Sequence, residues 1–172
     1  MAEKMYTIVS GTNRHNSHSL KIAHEYQLFL KYKGIEANVF TLEGIDLLNW
    51  NEAFEKIEVE IIIPTHNFIF IIPEYNGSFP GVLKLLFDTA RNHSIWFNKN
   101  ALLTGVSSGR AGNLRGMDHL SDILNFLKIT VHPNKLPISS IDKLLDENGK
   151  LKDEHTVKAI NNQLDEFIEW AK

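Results

Sequence analysis

The stretch Phe68–Asp88, FIFIIPEYNGSFPGVLKLLFD, decides the fold. It opens on five consecutive apolar residues, Phe68 to Ile72, too short a run for a helix. A bounded run of that length, rich in isoleucine and phenylalanine, predicts a strand buried on both faces. Pro73 ends the strand because it has no N–H for a ladder. Glu74 to Phe79 are expected as a loop, since Asn76, Gly77 and Ser78 are residue types that turns prefer. Pro80 is expected at the first helical position, its φ already set for a helix. Val82, Leu83, Leu86 and Ala90 then recur at helical spacing. The chain therefore runs strand, polar loop, helix, with the loop at the strand's carboxyl end. In open parallel sheets that edge is where ligands bind.

The same unit recurs on both sides. Met5 to Ser10 predicts a first strand, followed by the polar loop Gly11 to Ser19 and a helix from Leu20 to about Lys33, with Gly34 as its C-cap. Ile35 to Thr41 predicts a second strand. Residues 42–51 give no clear pattern, and Phe54, Ile57 and Ile61 mark a helix that stops at Pro64. Ala101 to Val106 is a fourth strand, followed by the loop Ser107 to Gly112. Met117, Leu120, Leu124 and Leu127 form the next helical stripe. Ile129 to His132 is a short fifth strand. Residues 133–150 look irregular, with Pro133, Pro137 and an Asp146-Glu147-Asn148-Gly149 turn, and residues 142–153 are expected as an exposed charged loop. Val157, Ile160, Leu164, Phe167 and Ala171 form the closing helix. Strands alternating with helices imply βαβ units and right-handed crossovers. The expected fold is α/β: a flavodoxin-like, doubly wound, five-stranded parallel sheet of order 2-1-3-4-5, with helix layers on both faces.

Length and composition narrow the function. At 172 residues the chain is expected to be one domain, residues 1–172. A net charge of −3 gives no bulk attraction to nucleic acid or to an anionic membrane. Without cysteine, disulfides, thiol chemistry and cysteine-ligated metals are excluded. The first residues, MAEKMYTIVSG, have no signal-peptide layout and no run approaches the length of a membrane span, so the expected location is the cytoplasm.

Three polar loops follow strands one, three and four, which are neighbours in that order, so one ligand could touch all three. In the first, GTNRHNSHS, the hydroxyls of Thr12, Ser17 and Ser19 and the fork of Arg14 lie beside a helix N-terminus, a pattern suited to a phosphate. An N-cap cluster with a solvated arginine is the plainer alternative. The loop has neither the Walker A nor the GxGxxG pattern. The second loop, Pro73-Glu74-Tyr75-Asn76-Gly77-Ser78, offers backbone groups that could match the edge of a planar heterocycle, or simply a turn into a helix. The third, Ser107-Ser108-Gly109-Arg110-Ala111-Gly112, allows close backbone approach, and Arg110 or Arg115 could hold an anion. Gly105-Val106-Ser107-Ser108-Gly109 also satisfies G-x-S-x-G, with Asp142 or Asp146 and His155 following in hydrolase order. No HGGG-type oxyanion element accompanies it, and the chain is short for such an enzyme. The eight histidines form no ligand cluster, so no metal is expected. Trp50, Trp96 and Trp170 are expected as packing residues, with an interface as the alternative for Trp96 and Phe97.

At these loops the sequence resembles the NADPH-dependent FMN reductase family of flavodoxin-like enzymes. The family pattern is approximately G-S-x-R-x-x-S-x-N, then P-E-Y-N-x-S-x-P-x-x-L-K-x-x-x-D, then a glycine-rich S-x-G loop. Here it stands as Gly11 to Ser19, Pro73 to Asp88 and Ser107 to Gly112. Thr12 and Ser19 replace the commoner Ser and Asn and keep the hydrogen-bonding capacity, while Thr89 stands where a tryptophan often follows the aspartate. The resemblance implies FMN as cofactor and NADPH or NADH as co-substrate. It places the FMN phosphate at Thr12, Arg14, Ser17 and Ser19, the ring edge along Pro73, Glu74, Tyr75, Asn76, Gly77 and Ser78, and Ser107, Ser108, Gly109, Arg110 and Gly112 on the other side. It further implies a small-molecule electron acceptor and a homodimer or homotetramer, with no nucleic-acid or membrane partner. No protein acid, base or nucleophile is then needed, because the flavin carries the reaction. Two alternatives compete: a flavodoxin-type electron carrier without nicotinamide activity, and a serine hydrolase using Ser107. A carrier needs an acidic docking face, and −3 with 18 basic residues gives little field.

Overall fold

The computed structural model describes residues 4–172. A central parallel sheet runs in the order β2-β1-β3-β4-β5, with β1 at Tyr6–Ser10, β2 at Ala37–Thr41, β3 at Asn67–Pro73, β4 at Asn100–Val106 and β5 at Thr130–Val131. β3 lies between β1 and β4, parallel to both, with Ile69 opposite Ile8 on one side and Leu102 on the other. Its side chains alternate between two cores. Phe68, Phe70 and Ile72 pack with Phe54 of α2 (Glu52–Ile57), Leu83 and Phe87 of α3 (Gly81–Asp88) and Met117 and Leu120 of α4 (Leu114–Phe126). Ile69 and Ile71 pack with Ile22 and Tyr26 of α1 (His18–Tyr32) and with Ile160 and Leu164 of α6 (Glu154–Trp170). This is why the strand shows no polar alternation: neither face meets water. Truncating Phe70 to alanine would cost about 3–5 kcal/mol, the usual range for a fully buried aromatic.

The right-hand edge departs from the expectation. Residues 133–150 are irregular only in part: β6, Leu136–Ile138, pairs with β4 in parallel from Thr104 to Val106, and α5 covers Ile141–Leu144, while the expected turn at Asp146 to Gly149 forms, with the Gly149 N–H donating to the Asp146 carbonyl at 3.0 Å. The fifth strand position is thus filled twice, by β5 beside the start of β4 and by β6 beside its end. Pro133 and Pro137 interrupt the residue pattern there without preventing edge pairing. Three boundaries follow from local chemistry. β2 starts at Ala37, because the αL glycine Gly34 is followed by Ile35, whose N–H still bonds Leu30. α3 starts at Gly81, because Pro80 is extended and sits outside as the N-cap. α6 starts at Glu154, because Asp153 caps it by accepting from the Thr156 N–H at 2.8 Å.

Trp96 packs in the core, as expected, and does not form an interface: it is fully buried. It closes an aromatic cluster with Phe87 at 4.9 Å and Phe68 at 5.6 Å between ring centroids. After α2 the helix widens into a π-helical turn, Glu58–Ile62, and the buried Lys99 ammonium donates to the Ile63 and Thr65 carbonyls just beyond it. Burial pulls the Lys99 pKa down, and the negative end of the helix gives its charge a partner. Among the described residues no helix is long and apolar enough to cross a membrane.

Candidate functional site

The three loops that follow β1, β3 and β4 meet at the carboxyl edge of the sheet around a cavity of about 280 Å³. Thr12, Arg14, Ser17 and Ser19 line it from the first loop, Pro73, Glu74 and Tyr75 from the second, and Ser107 and Ser108 from the third. His15, His18, Val106 and Ile141 complete the wall. A larger cavity, about 610 Å³, opens at the opposite edge between the first residues of β1 and β2 and the end of α6. Only the first has a helix N-terminus and converging hydroxyls.

In the first loop, Ser17 caps α1 by accepting from the Leu20 N–H at 3.1 Å, which leaves its own proton free to donate outward. The Ser19 hydroxyl is buried and has no partner. Buried hydroxyls are nearly always satisfied, so an orphan at a helix N-terminus marks a place for an acceptor. Arg14 has no ion-pair partner among the described residues; its guanidinium lies 4.0 Å above the Tyr75 ring. The Tyr75 hydroxyl is 2.7 Å from Thr12 Oγ1. Tyr75 thus joins the second loop to the first. Two histidines flank the phosphate-like pocket, each tied to a carboxylate: His15 to Glu43 at 2.5 Å and His18 to Asp142 at 3.5 Å.

The second loop is a two-residue hairpin. Tyr75 and Ser78 exchange both backbone hydrogen bonds, at 2.8 and 3.1 Å, across Asn76 (φ 53°) and Gly77 (φ 76°). Two positive φ values define a type I′ turn, for which Asn-Gly is the preferred pair. Behind the turn sits α4: a Cβ on Gly77 would come within 2.9 Å of the Arg115 guanidinium, and Ser78 Oγ lies 2.9 Å from His119 Nδ1. Arg115, an anion candidate on sequence grounds, therefore supports this hairpin. Asn76, Gly77 and Ser78 lie outside the cavity wall, toward α4.

The third loop folds over the end of β4. Ser107 Oγ accepts from the Gly112 N–H at 3.0 Å and lies 3.1 Å from the Gly109 carbonyl. That hydroxyl closes its own loop, and among the described residues no histidine hydrogen-bonds to it, so the nucleophile-elbow reading is not supported. Gly112 has φ 56°, and a side chain there would strike Pro137 at 2.6 Å. β6 and α5 hold the loop from the other side: the Ser107 N–H donates to Ile138, Ser140 to Gly109, and Ile141 to Ser107. Gly109, Arg110 and Gly112 do not line the cavity.

Sequence reading missed two contributions. One is the β6–α5 wall, including Ile141. The other is Asn113, buried at the start of α4, whose Nδ2 donates to the Ile72 and Pro73 carbonyls. An asparagine following a glycine is a common turn signal, and nothing local indicates that its side chain reaches another strand.

Comparison with known proteins identifies the family and the fold. The family model described as NADPH-dependent FMN reductase matches residues 5–143. An NAD(P)H-dependent FMN reductase of Pseudomonas aeruginosa is 31% identical over 95% of this chain and 93% of its own. A 2-hydroxy-1,4-benzoquinone reductase of a Burkholderia species is 26% identical over 100% and 98%. Among solved structures, the flavoenzyme NAD(P)H:(acceptor) oxidoreductase of Paracoccus denitrificans superposes with a TM-score of 0.79 at 23% identity, over 98% of this chain and 97% of that one, which shows the shared fold. With the family model spanning most of its length and a full-length relative above 30% identity, this chain belongs to the NADPH-dependent FMN reductase family.

Proposed function

We propose that residues 1–172 act as one FMN-binding unit that oxidises NADPH or NADH and reduces a small-molecule acceptor of the quinone or flavin class. The observation that carries the proposal is the buried, unpartnered Ser19 hydroxyl at the N-terminus of α1, beside an Arg14 guanidinium with no carboxylate partner. A dianionic phosphate supplies what both lack. Bound there, FMN supplies hydride acceptance from the nicotinamide and electron transfer to the acceptor.

The chain's own residues bind and orient. Thr12, Arg14, Ser17 and Ser19 hold the phosphate. Pro73, Glu74 and Tyr75 would border the ring from the second loop and Ser107 and Ser108 from the third, while Asn76 to Ser78 and Gly109 to Gly112 would shape those loops from outside the cavity wall. The quinone reductase among the relatives supports a quinone as acceptor. A homodimer or homotetramer, which the family resemblance implies, is part of the proposal. So is a cytoplasmic location, supported by the lack of a membrane-crossing helix among the described residues. A nicotinamide titration without oxygen tests the function. The purified protein should be yellow, or become so with FMN, and bleach with NADPH or NADH and recolour with benzoquinone. A yellow protein inert to both nicotinamides would establish an electron carrier instead.

A further inference from the structure

We propose that Asn113 is a positioning residue that fixes the separation of the second and third loops at their root, and through it the affinity for FMN. The inference rests on the FMN reading above. The register of β3 and β4 ends at Pro73 opposite Val106, and the Glu74 N–H to Val106 carbonyl bond, 3.0 Å, is the last backbone link between the two segments. Beyond it the loops diverge. Asn113 stands at the divergence. Its Nδ2 donates to the Ile72 carbonyl at 3.0 Å and to the Pro73 carbonyl at 2.9 Å, using both amide protons. The Ser78–His119 contact ties the hairpin to α4 farther along, at its outer end.

Three features show that this bridge is selected over easier arrangements. Asn113 is the N-cap of α4, yet its side chain makes no bond to its own first turn, the usual role of asparagine there. Its backbone is left-handed, φ 59° and ψ 34°. Its Oδ1 is buried without a partner and lies where a Cβ on Gly116 would sit, at 2.1 Å. α4 therefore carries a glycine in its first turn, against helix propensity, to make room for a side chain turned toward β3. A residue chosen only for its left-handed backbone would need no such space.

The test uses the apoprotein of the full chain. Asn113→Gly keeps the positive φ at no steric penalty and deletes the bridge. Gly116→Ala keeps the asparagine and displaces it. Amide hydrogen exchange of residues 74–78 and 107–112 should accelerate at least tenfold in both variants, with α1 and β1 unchanged. The FMN dissociation constant, read by fluorescence quenching where circular dichroism shows each variant folded, should rise at least tenfold. In the Asn113→Gly background, Gly116→Ala should add no further loss, because the side chain it displaces is gone. Unchanged exchange and affinity in Asn113→Gly would overturn the proposal. Additive losses in the double variant would do the same, as would failure of both single variants to fold, which would assign Asn113 to the core. A wild-type protein that binds no FMN would sink the cofactor reading, while hydrogen exchange would still decide the bridge.

Discussion

Arg14 and Gly77 show how much a single residue here depends on its neighbours. Arg14 has its charge unmatched and its plane resting on Tyr75. Arg14→Ala should weaken FMN binding by about ten- to a hundredfold, the equivalent of roughly 1.5–3 kcal/mol for a charge-assisted contact. Thermal stability should change little, because the side chain is exposed and rests on a loop tyrosine. Flavin titration of the apoprotein checks this, and unchanged affinity would reject the phosphate assignment. Gly77 has a reason that its sequence context only half reveals. Asn-Gly suggested a turn, but the need for glycine comes from a φ of 76° and from the Arg115 guanidinium behind it. Valine, β-branched and poor at positive φ, should reshape the hairpin and abolish FMN binding while the sheet still forms. Far-UV circular dichroism with fluorescence quenching reads both halves, and a folded variant with wild-type affinity would show that the hairpin does not border the ring.

At the scale of elements, what could be read in the sequence was whatever depends on neighbours in the chain. β3 was legible because its burial on both faces leaves a purely apolar run, and α4 because its stripe repeats at helical spacing. β6 was not, since Pro137 and a length of three residues erase any period. The packing of α6 rests on a polar device equally hidden. Gln163, fully buried, donates to the Leu103 and Asn134 carbonyls and accepts at Oε1 from the Tyr26 hydroxyl at 2.6 Å. Thr104 Oγ1 is 2.7 Å from that same hydroxyl, and burial pushes the Tyr26 pKa well up. The network joins α1, β4 and α6, partners far apart in sequence. Gln163→Leu leaves two carbonyls without their donor and should cost about 1–3 kcal/mol. Urea unfolding measures the loss, and a variant as stable as wild type would show the network to be dispensable.

For the molecule as a whole, the five-position order 2-1-3-4-5 and the gathering of three loops were legible, because alternation and crossover handedness leave few other topologies. The wall made by β6 and α5 and the bridge from Asn113 were not, because both join segments that no local pattern connects. Global stability should also carry a pH signature. His132 is buried between the rings of Phe167 and Trp170, and burial lowers its pKa below the ordinary 6.5, with Glu166 partly opposing. The folded state therefore favours the neutral ring. Its contribution is complete above pH 6.5 and is lost as pH falls through the lowered folded value, at no more than about 1.4 kcal/mol per pH unit for one proton. Between pH 7 and 4.5 the denaturant midpoint of wild type should fall relative to that of His132→Phe, and parallel curves would place the acid sensitivity elsewhere.

The unbroken apolar face of β3 has a further consequence, in the kinetics of folding. Phe68 to Ile72 carries no charge, Gly or Pro, and until β1 and β4 close on either side it is a bare strand of the kind that stacks with copies of itself. Both partners are distant in sequence, so that protection comes late in folding. His66 and Asn67 before it and Pro73 after it are the interruptions that limit how far such a stack can extend. The strand that organises the native sheet is thus also a segment open to self-association while the chain folds, and refolding yield should fall as protein concentration rises.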